Sequence, residues 1–198
     1  LPRISNFTDV DALGLEPAVD VVFATSPAGV ADADVIVVPG TRATLDDLNW
    51  LRSRGLDRAI AEHAARGRPV LGICGGCQML GESITDDDGV EGAPGRRAAG
   101  LGLLPLTTRF TADKTLALPT ADWRGIPVHG YEIHHGRIEV ADGAHFPGGT
   151  ALGNVWGTMW HGALETDEFR RAWLTAALPD FDPGGAFGFA AAREHRLA

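Results

Sequence analysis

Apolar residues along the chain fall into short solid runs separated by helical stripes. Asp20-Val21-Val22-Phe23-Ala24 and Asp34-Val35-Ile36-Val37-Val38 both have strand length. The second is apolar at successive positions, which predicts a strand buried on both faces, as in a parallel sheet. It ends at Pro39-Gly40-Thr41, a loop at a strand's carboxyl end, where open α/β sheets place their ligands. Thr44 with Asp47 three residues on predicts a helix start. Leu45, Leu48 and Leu51 form its stripe, and Leu56, Ile60 and Ala64 carry the pattern on to Gly67, a helix stop. Val70, Leu71 and Ile73 then supply another buried strand. Strand, helix and strand in alternation predict an α/β fold.

Beyond Leu101 the texture changes. Period-two positions such as Leu116 and Leu118, and Val128, predict an antiparallel section added to the parallel core. Residues 154–160 read as a further strand that delivers His161-Gly162. Thr166 caps the next helix, with Asp167 and Glu168 in its first turn and Phe169, Ala172, Trp173 and Ala176 as its stripe. Asp86-Asp87-Asp88-Gly89 reads as a solvated turn, residues 91–99 as a polar loop, and 180–198 as a tail without a motif. Residues 1–18 have little periodicity, and Ser5–Asp9 looks like a turn or cap. The expected fold is therefore α/β, a three-layer sandwich with a mostly parallel central sheet and an added antiparallel section, in one domain over 1–198.

Composition narrows the function. The chain has 198 residues, 44% hydrophobic and 22% charged, an ordinary soluble make-up. A net charge of −9 argues against a nucleic-acid partner. No apolar run approaches the ~20 residues that span a bilayer. The start, Leu1-Pro2-Arg3, has no signal-peptide core, and it lacks an initiator Met, as a piece of a longer protein would. Two Cys three positions apart do not make a secreted disulfide framework, so a cytoplasmic location is expected.

The chemistry concentrates in Gly72-Ile73-Cys74-Gly75-Gly76-Cys77-Gln78. Gly72-x-Cys74-x-Gly76 is the thiol form of a nucleophile elbow, a sharp strand-to-helix turn that projects its central residue above a sheet. Amides just after Cys74 can face a developing oxyanion, and the helix N-terminus favours the thiolate. A nucleophilic thiol needs a base. Of seven His, His161 is preferred, because it follows an apolar strand at the sheet edge that also carries Cys74. His63 lies on the polar side of a helix, His145 and His195 in loop or tail, and His129, His134 and His135 in or near strands. Two other readings stand beside this one. Cys74-Gly75-Gly76-Cys77 is also a CxxC of redox type, and His134-His135 with the two Cys are conceivable zinc ligands. No metal site is expected.

With Gly40-Thr41, the elbow and Trp156-Gly157-Thr158-x-x-His161-Gly162 in order, the chain resembles the class I glutamine amidotransferases. Within them it is similar to the carboxyl-terminal glutaminase domains of cobyric acid synthases. Pro2–Asp9, Asp46-Asp47-Leu48, Gly130-Tyr131-Glu132-Ile133-His134 and Phe169–Leu174 carry the narrower resemblance. It implies that Cys74 attacks the glutamine amide, that a glutamyl thioester forms and is hydrolysed, and that His161 shuttles protons. Amides of Gly75 and of the Gly40-Thr41 loop would hold the oxyanion; Gln78, Tyr131, Glu132 and His134 would bind glutamine. Ammonia would pass to a preceding synthetase domain that activates corrinoid carboxylates. ATP and magnesium belong to that domain, which is absent from this chain, and no cofactor is expected here. Alternatives are the glutaminase domain of a cobyrinic acid a,c-diamide synthase, or a non-catalytic regulatory domain docking to a synthetase. One departure stands out: most class I members have Glu two residues after the catalytic His, and here that residue is Ala163. The third triad member is left open, with Glu165, Asp167 and Glu132 the nearest carboxylates in sequence. A second departure is Cys77, where the family usually has an aromatic residue.

Overall fold

In the computed structural model, which describes residues 1–184 and 188–197, the first half of the chain alternates as its pattern dictates. Strand β1 (Ile36–Val38) leads to helices α1 (Thr44–Ser53) and α2 (Leu56–Ala65), then to β2 (Val70–Ile73) and α3 (Gly75–Leu80). Seven strands follow: β3 (Ser83–Asp86), β4 (Arg96–Ala99), β5 (Leu106–Ala117), β6 (Thr120–Trp123), β7 (Ile126–His129), β8 (Glu132–Val140) and β9 (Ala144–Phe146). The chain then returns through β10 (Gly149–Leu152) and β11 (Val155–Thr158) to α4 (Asp167–Ala177) and α5 (Phe189–Leu197).

The central sheet has the order β1-β2-β11-β10-β9. Its first three strands are parallel and its last two antiparallel. A second sheet, β4-β3-β5-β8, is mixed, and β6-β7 is a separate hairpin. Successive residues of β11 mark the layers, because side chains alternate across a strand. Gly157 faces Cys77 of α3, while Trp156 meets Trp173 of α4 edge to face at 6.1 Å. Helix α3 thus covers one face and α4 the other, which is the expected three-layer sandwich. β2 is buried along its whole length, as its apolar run requires.

Several local expectations fail for physical reasons. Residues 20–24 form no strand; Val22 is 76% and Phe23 66% exposed. The long helical stripe is cut at Gly55, whose φ of 70° ends one helix and opens the next. Thr44 and Asp47 do not cap each other. The α1 amides of Thr44 and Leu45 donate instead to the Glu91 carboxylate, at 2.9 and 3.0 Å. The acidic turn contributes a buried strand residue: Asp86 is fully buried and accepts the amides of Val90 and Glu91. Residues 96–99 of the expected polar loop pair with β3. In the expected tail, residues 185–187 and 198 lie outside the described residues, and 189–197 are helical.

Candidate active site

Cys74 sits at the turn between β2 and α3 with φ 50° and ψ −110°, a left-handed backbone that few non-glycine residues adopt. The glycines around it make that turn possible. A Cβ on Gly76 would overlap the Val38 carbonyl, and one on Gly72 would lie 2.7 Å from the Cys77 amide. The Cys74 N–H donates to the Thr158 carbonyl at 2.7 Å, fastening the elbow to β11. Its carbonyl accepts the Gln78 N–H at 3.0 Å. Gly75 opens α3, so its N–H has no partner within the helix.

His161 stands three residues beyond β11 and is buried. Its backbone exchanges two 2.9 Å hydrogen bonds with Tyr131, whose ring stacks on the imidazole at 5.3 Å and 27°. The Nδ1–H donates to Asp9 Oδ2 at 2.6 Å, and the other carboxylate oxygen accepts the Gly162 N–H at 3.0 Å. With Nδ1 so engaged, the other side of the ring is left for Cys74, and the Gly40 loop lies against both. Burial by itself would pull the imidazole pKa down. The bonds to Asp9 and Cys74 outweigh it and push it up to about 10. Thiol, imidazole and carboxylate therefore stand in line, an arrangement that can supply a nucleophile, a proton carrier and a group that fixes its tautomer.

The third wall is the Pro39-Gly40-Thr41 loop. A Cβ on Gly40 would come within 2.8 Å of His161 Cε1 and 3.6 Å of Cys74 Cβ, so the loop backbone lies directly against the reacting groups. The position of a Gly75 Cβ is 3.2 Å from the Thr41 amide, which brings the two candidate oxyanion donors together. A buried network holds this loop. Thr41 Oγ1 donates to Asp47 Oδ2 at 2.6 Å, and Asp47 also accepts from the Arg3 backbone and guanidinium at 3.1 and 3.0 Å. Asp47, expected in a helix cap, thus fixes the Gly40-Thr41 loop.

The structure gathers Cys74, His161, Gly40, Thr41, Gly75 and Tyr131 around one point. Gln78 is buried behind them. Its Oε1 accepts from Thr44 Oγ1 at 3.1 Å, and its Nε2, packed against Gly136, has no partner among the described residues. His134 is half-buried, its two ring nitrogens are covered and make no hydrogen bond among the described residues, and burial keeps its pKa below the ordinary value. Glu132 Oε1 lies 4.0 Å from His134 Nε2. Among the other His, His63 is buried, not solvated, and bonds the Pro69 carbonyl at 3.1 Å. The His195 side chain lies outside the described residues. Cys77 is buried against Gly157, and burial pushes its thiol pKa well up, so it stays protonated. Among the described residues no cluster of three or more His, Cys, Asp or Glu is placed to hold a metal.

The carboxylate behind His161 was not among those expected. Glu165, Asp167 and Glu132 are near in sequence, but Asp9 takes the position from the far end of the chain. Asp167 instead accepts from Arg170 and the Phe189 amide, at 2.7 and 2.8 Å. The one signal for Asp9 in the sequence was its place in the resemblance-bearing stretch Pro2–Asp9.

Residues 1–169 match the model of a CobB/CobQ-like glutamine amidotransferase domain. Over its full 198 residues the chain is 61% identical to cobyric acid synthase of Mycobacterium ulcerans and 62% to that of Mycolicibacterium gilvum. It is 58% identical over 200 aligned positions to that of Mycobacterium tuberculosis. It spans about 40% of the length of these relatives. A solved glutamine amidotransferase shares the fold with a TM-score of 0.69 at 17% identity, covering 88% of this chain and 94% of that one.

Proposed function

The chain belongs to the CobB/CobQ-like glutamine amidotransferase domain family, and on that premise we propose that it hydrolyses glutamine at Cys74 and feeds the ammonia to an ATP-dependent synthetase that amidates corrinoid carboxylates. The observation that carries this reading is the Cys74–His161–Asp9 relay at a strained elbow. The Cys74 thiolate attacks the side-chain amide carbon of glutamine. Negative charge collects on the amide oxygen, within reach of the Gly75 and Thr41 amides. His161 gives its Nε2 proton to the leaving nitrogen, the C–N bond breaks, and ammonia departs from a glutamyl thioester. Water then adds to the thioester, His161 takes its proton, and glutamate and the thiolate are released.

Glutamine binding falls to the groups that the fold leaves buried and unpaired. Among the described residues Gln78 Nε2 makes no hydrogen bond and the covered ring nitrogens of His134 have only the Glu132 carboxylate, 4.0 Å away; such atoms are costly unless a ligand satisfies them. Tyr131 closes the site over His161, and Glu132 acts through His134. ATP and magnesium act outside this chain, in the part of the longer relatives that it does not match. A cytoplasmic location suits the two free thiols.

The test is steady-state glutamate release from glutamine by this chain, set against Cys74→Ser and His161→Ala. Loss in both variants supports the reading. Undiminished release by Cys74→Ser would refute it.

A further inference from the structure

β1 is an edge strand of the central sheet, and no strand lies on its free side among the described residues. It borders an apolar groove of about 540 Å³ whose lining includes Leu1, Leu13, Val37, Leu56, Trp173 and Leu178. The backbone of β1 is half used. Ile36 donates to the Pro69 carbonyl at 3.0 Å on the β2 side, so by the alternation of a strand the N–H groups of Val35 and Val37 point into the groove. Across the groove lie residues 20–24, which read as a strand in sequence. Among the described residues they make no backbone hydrogen bond, and they expose Val22 and Phe23. Two strand-like segments with unused backbone thus face each other across an apolar slot. An unpaired edge of this kind is a template for another strand.

The groove also has a direction. Ser5 donates to the Gly40 carbonyl at 2.9 Å and Arg42 to the Arg3 carbonyl at 3.2 Å, which places residues 3–5 at the carboxyl end of β1. Leu1 lines the groove just before them. Polypeptide entering at Leu1 from along β1 must run parallel to it. The matched relatives do continue in that direction, since this region is their carboxyl-terminal 40%.

We propose that the groove seats one further parallel β-strand, supplied by the polypeptide that precedes this region in the longer relatives, paired with β1 on one side and residues 20–24 on the other. The strand turns residues 20–24 from loose chain into the sheet's outer strand and covers Val35 and Val37. It also tethers the arm that, eight residues beyond Leu1, delivers Asp9 to His161. Its composition follows from its place: about five or six apolar, mainly β-branched residues, buried on both faces.

The proposal is tested by amide hydrogen exchange. This chain is compared with a version extended at its amino end by about ten residues, taken from just before the matched region of the Mycolicibacterium gilvum relative; that length suffices for one strand. A third version carries the same extension with two central residues replaced by proline, which cannot donate to a ladder. The expected result is about tenfold or slower exchange at residues 35, 37 and 20–24 in the extended chain only, with all three versions monomeric. Exchange at those amides unchanged by the extension, or slowed equally by the proline version, would overturn the proposal. So would protection already present in the chain as it stands together with a dimer, which would assign the groove to a second copy. None of these readouts depends on glutaminase activity.

Discussion

Asp9 and His161 stand 152 positions apart in the chain and 2.6 Å apart in the structure. The carboxylate is held at both oxygens, one by Nδ1–H of His161 and one by the Gly162 amide, so its angle to the ring is fixed. That contact supplies what Ala163, two residues after His161, has no side chain to give. The imidazole therefore does not need a partner domain to fix its tautomer.

Asp9→Asn keeps the shape but loses the charge and the strong acceptor. It should lower glutamine turnover by roughly 10²–10⁴-fold, the range of a mispositioned proton carrier. KM should change little, because Asp9 sits behind the imidazole, away from Cys74. Steady-state glutamate release measures both constants. Turnover within threefold of the parent would show that Asp9 does not serve His161.

Two glycines near the elbow should separate activity from stability. A methyl on Gly76 strikes the Val38 carbonyl, a rigid backbone atom in the sheet, so Gly76→Ala should cost about 3 kcal/mol or more of stability. A methyl on Gly40 meets the His161 ring at 2.8 Å and the Ser5 hydroxyl at 3.1 Å, both side chains. Gly40→Ala should therefore fold, with a small change in Tm, and lose glutaminase activity by about two orders of magnitude through a displaced imidazole. Urea melts and turnover of the two variants decide the matter. Comparable stability losses in both would mean the loop cannot yield.

Only one of the two cysteines should be reactive. Cys74 stands at the head of α3 beside His161, whose pKa is pushed up to about 10, whereas Cys77 is buried against Gly157 with its thiol pKa raised. Iodoacetamide at neutral pH should label Cys74 and leave Cys77 untouched until the protein unfolds. Cys77→Ala should keep glutamine hydrolysis. Equal labelling of both thiols, or a Cys74–Cys77 disulfide in the parent, would favour redox chemistry.

Sequence reasoning reached furthest where a feature is local. The buried runs of β1 and β2, the Gly-Cys-Gly elbow and the strand leading to His161 each depend on neighbours within a few residues. What escaped depends on distant partners. Residues 20–24 have the composition of a strand, but a strand needs something to pair with. Asp47 looked like a cap because of its spacing from Thr44, whereas Arg3 and Thr41 claim its carboxylate. Asp86 looked solvated among three acids, and burial against the amides of Val90 and Glu91 is invisible in a run of identical letters. Nothing local singles out Asp9, since no spacing rule links it to a His at the other end of the chain.

Glu91 illustrates such a long-range contact and carries a prediction. Its carboxylate caps α1 from 46 residues away, at the end of the helix that begins beside Thr41 and holds Thr44 against Gln78. Glu91→Ala should cost about 1–2 kcal/mol, the worth of a good helix cap with favourable dipole placement. It should also weaken glutamine binding more than turnover, because Thr44 orients Gln78. A chemical melt and the split between KM and kcat test both parts; unchanged stability would mean that solvent replaces the cap.

The charge on His161 should be visible in the stability of the protein as pH changes. In an unfolded chain its pKa is near 6.5, and in the folded protein the bonds to Asp9 and Cys74, prevailing over burial, push it up to about 10. The folded state therefore binds this proton more tightly than the unfolded state. Below about pH 6.5 both states hold it, and the stabilisation is fully present. As pH rises from there, the unfolded state gives up the proton first, so stability declines until the folded imidazole also loses it near pH 10. The slope cannot exceed about 1.4 kcal/mol per pH unit for one proton. Asp9→Asn removes a main support of the raised value, so its stability should be lower than the parent's at pH 7 and the gap should narrow toward pH 10. Cys74→Ala should keep part of the slope, because Asp9 still holds Nδ1. Urea unfolding of the three proteins at intervals from pH 6 to pH 10 gives the curves. A parent curve parallel to that of Asp9→Asn across the whole window would mean that the carboxylate does not hold the imidazole proton, and the charged relay assigned to Cys74, His161 and Asp9 would have to be given up.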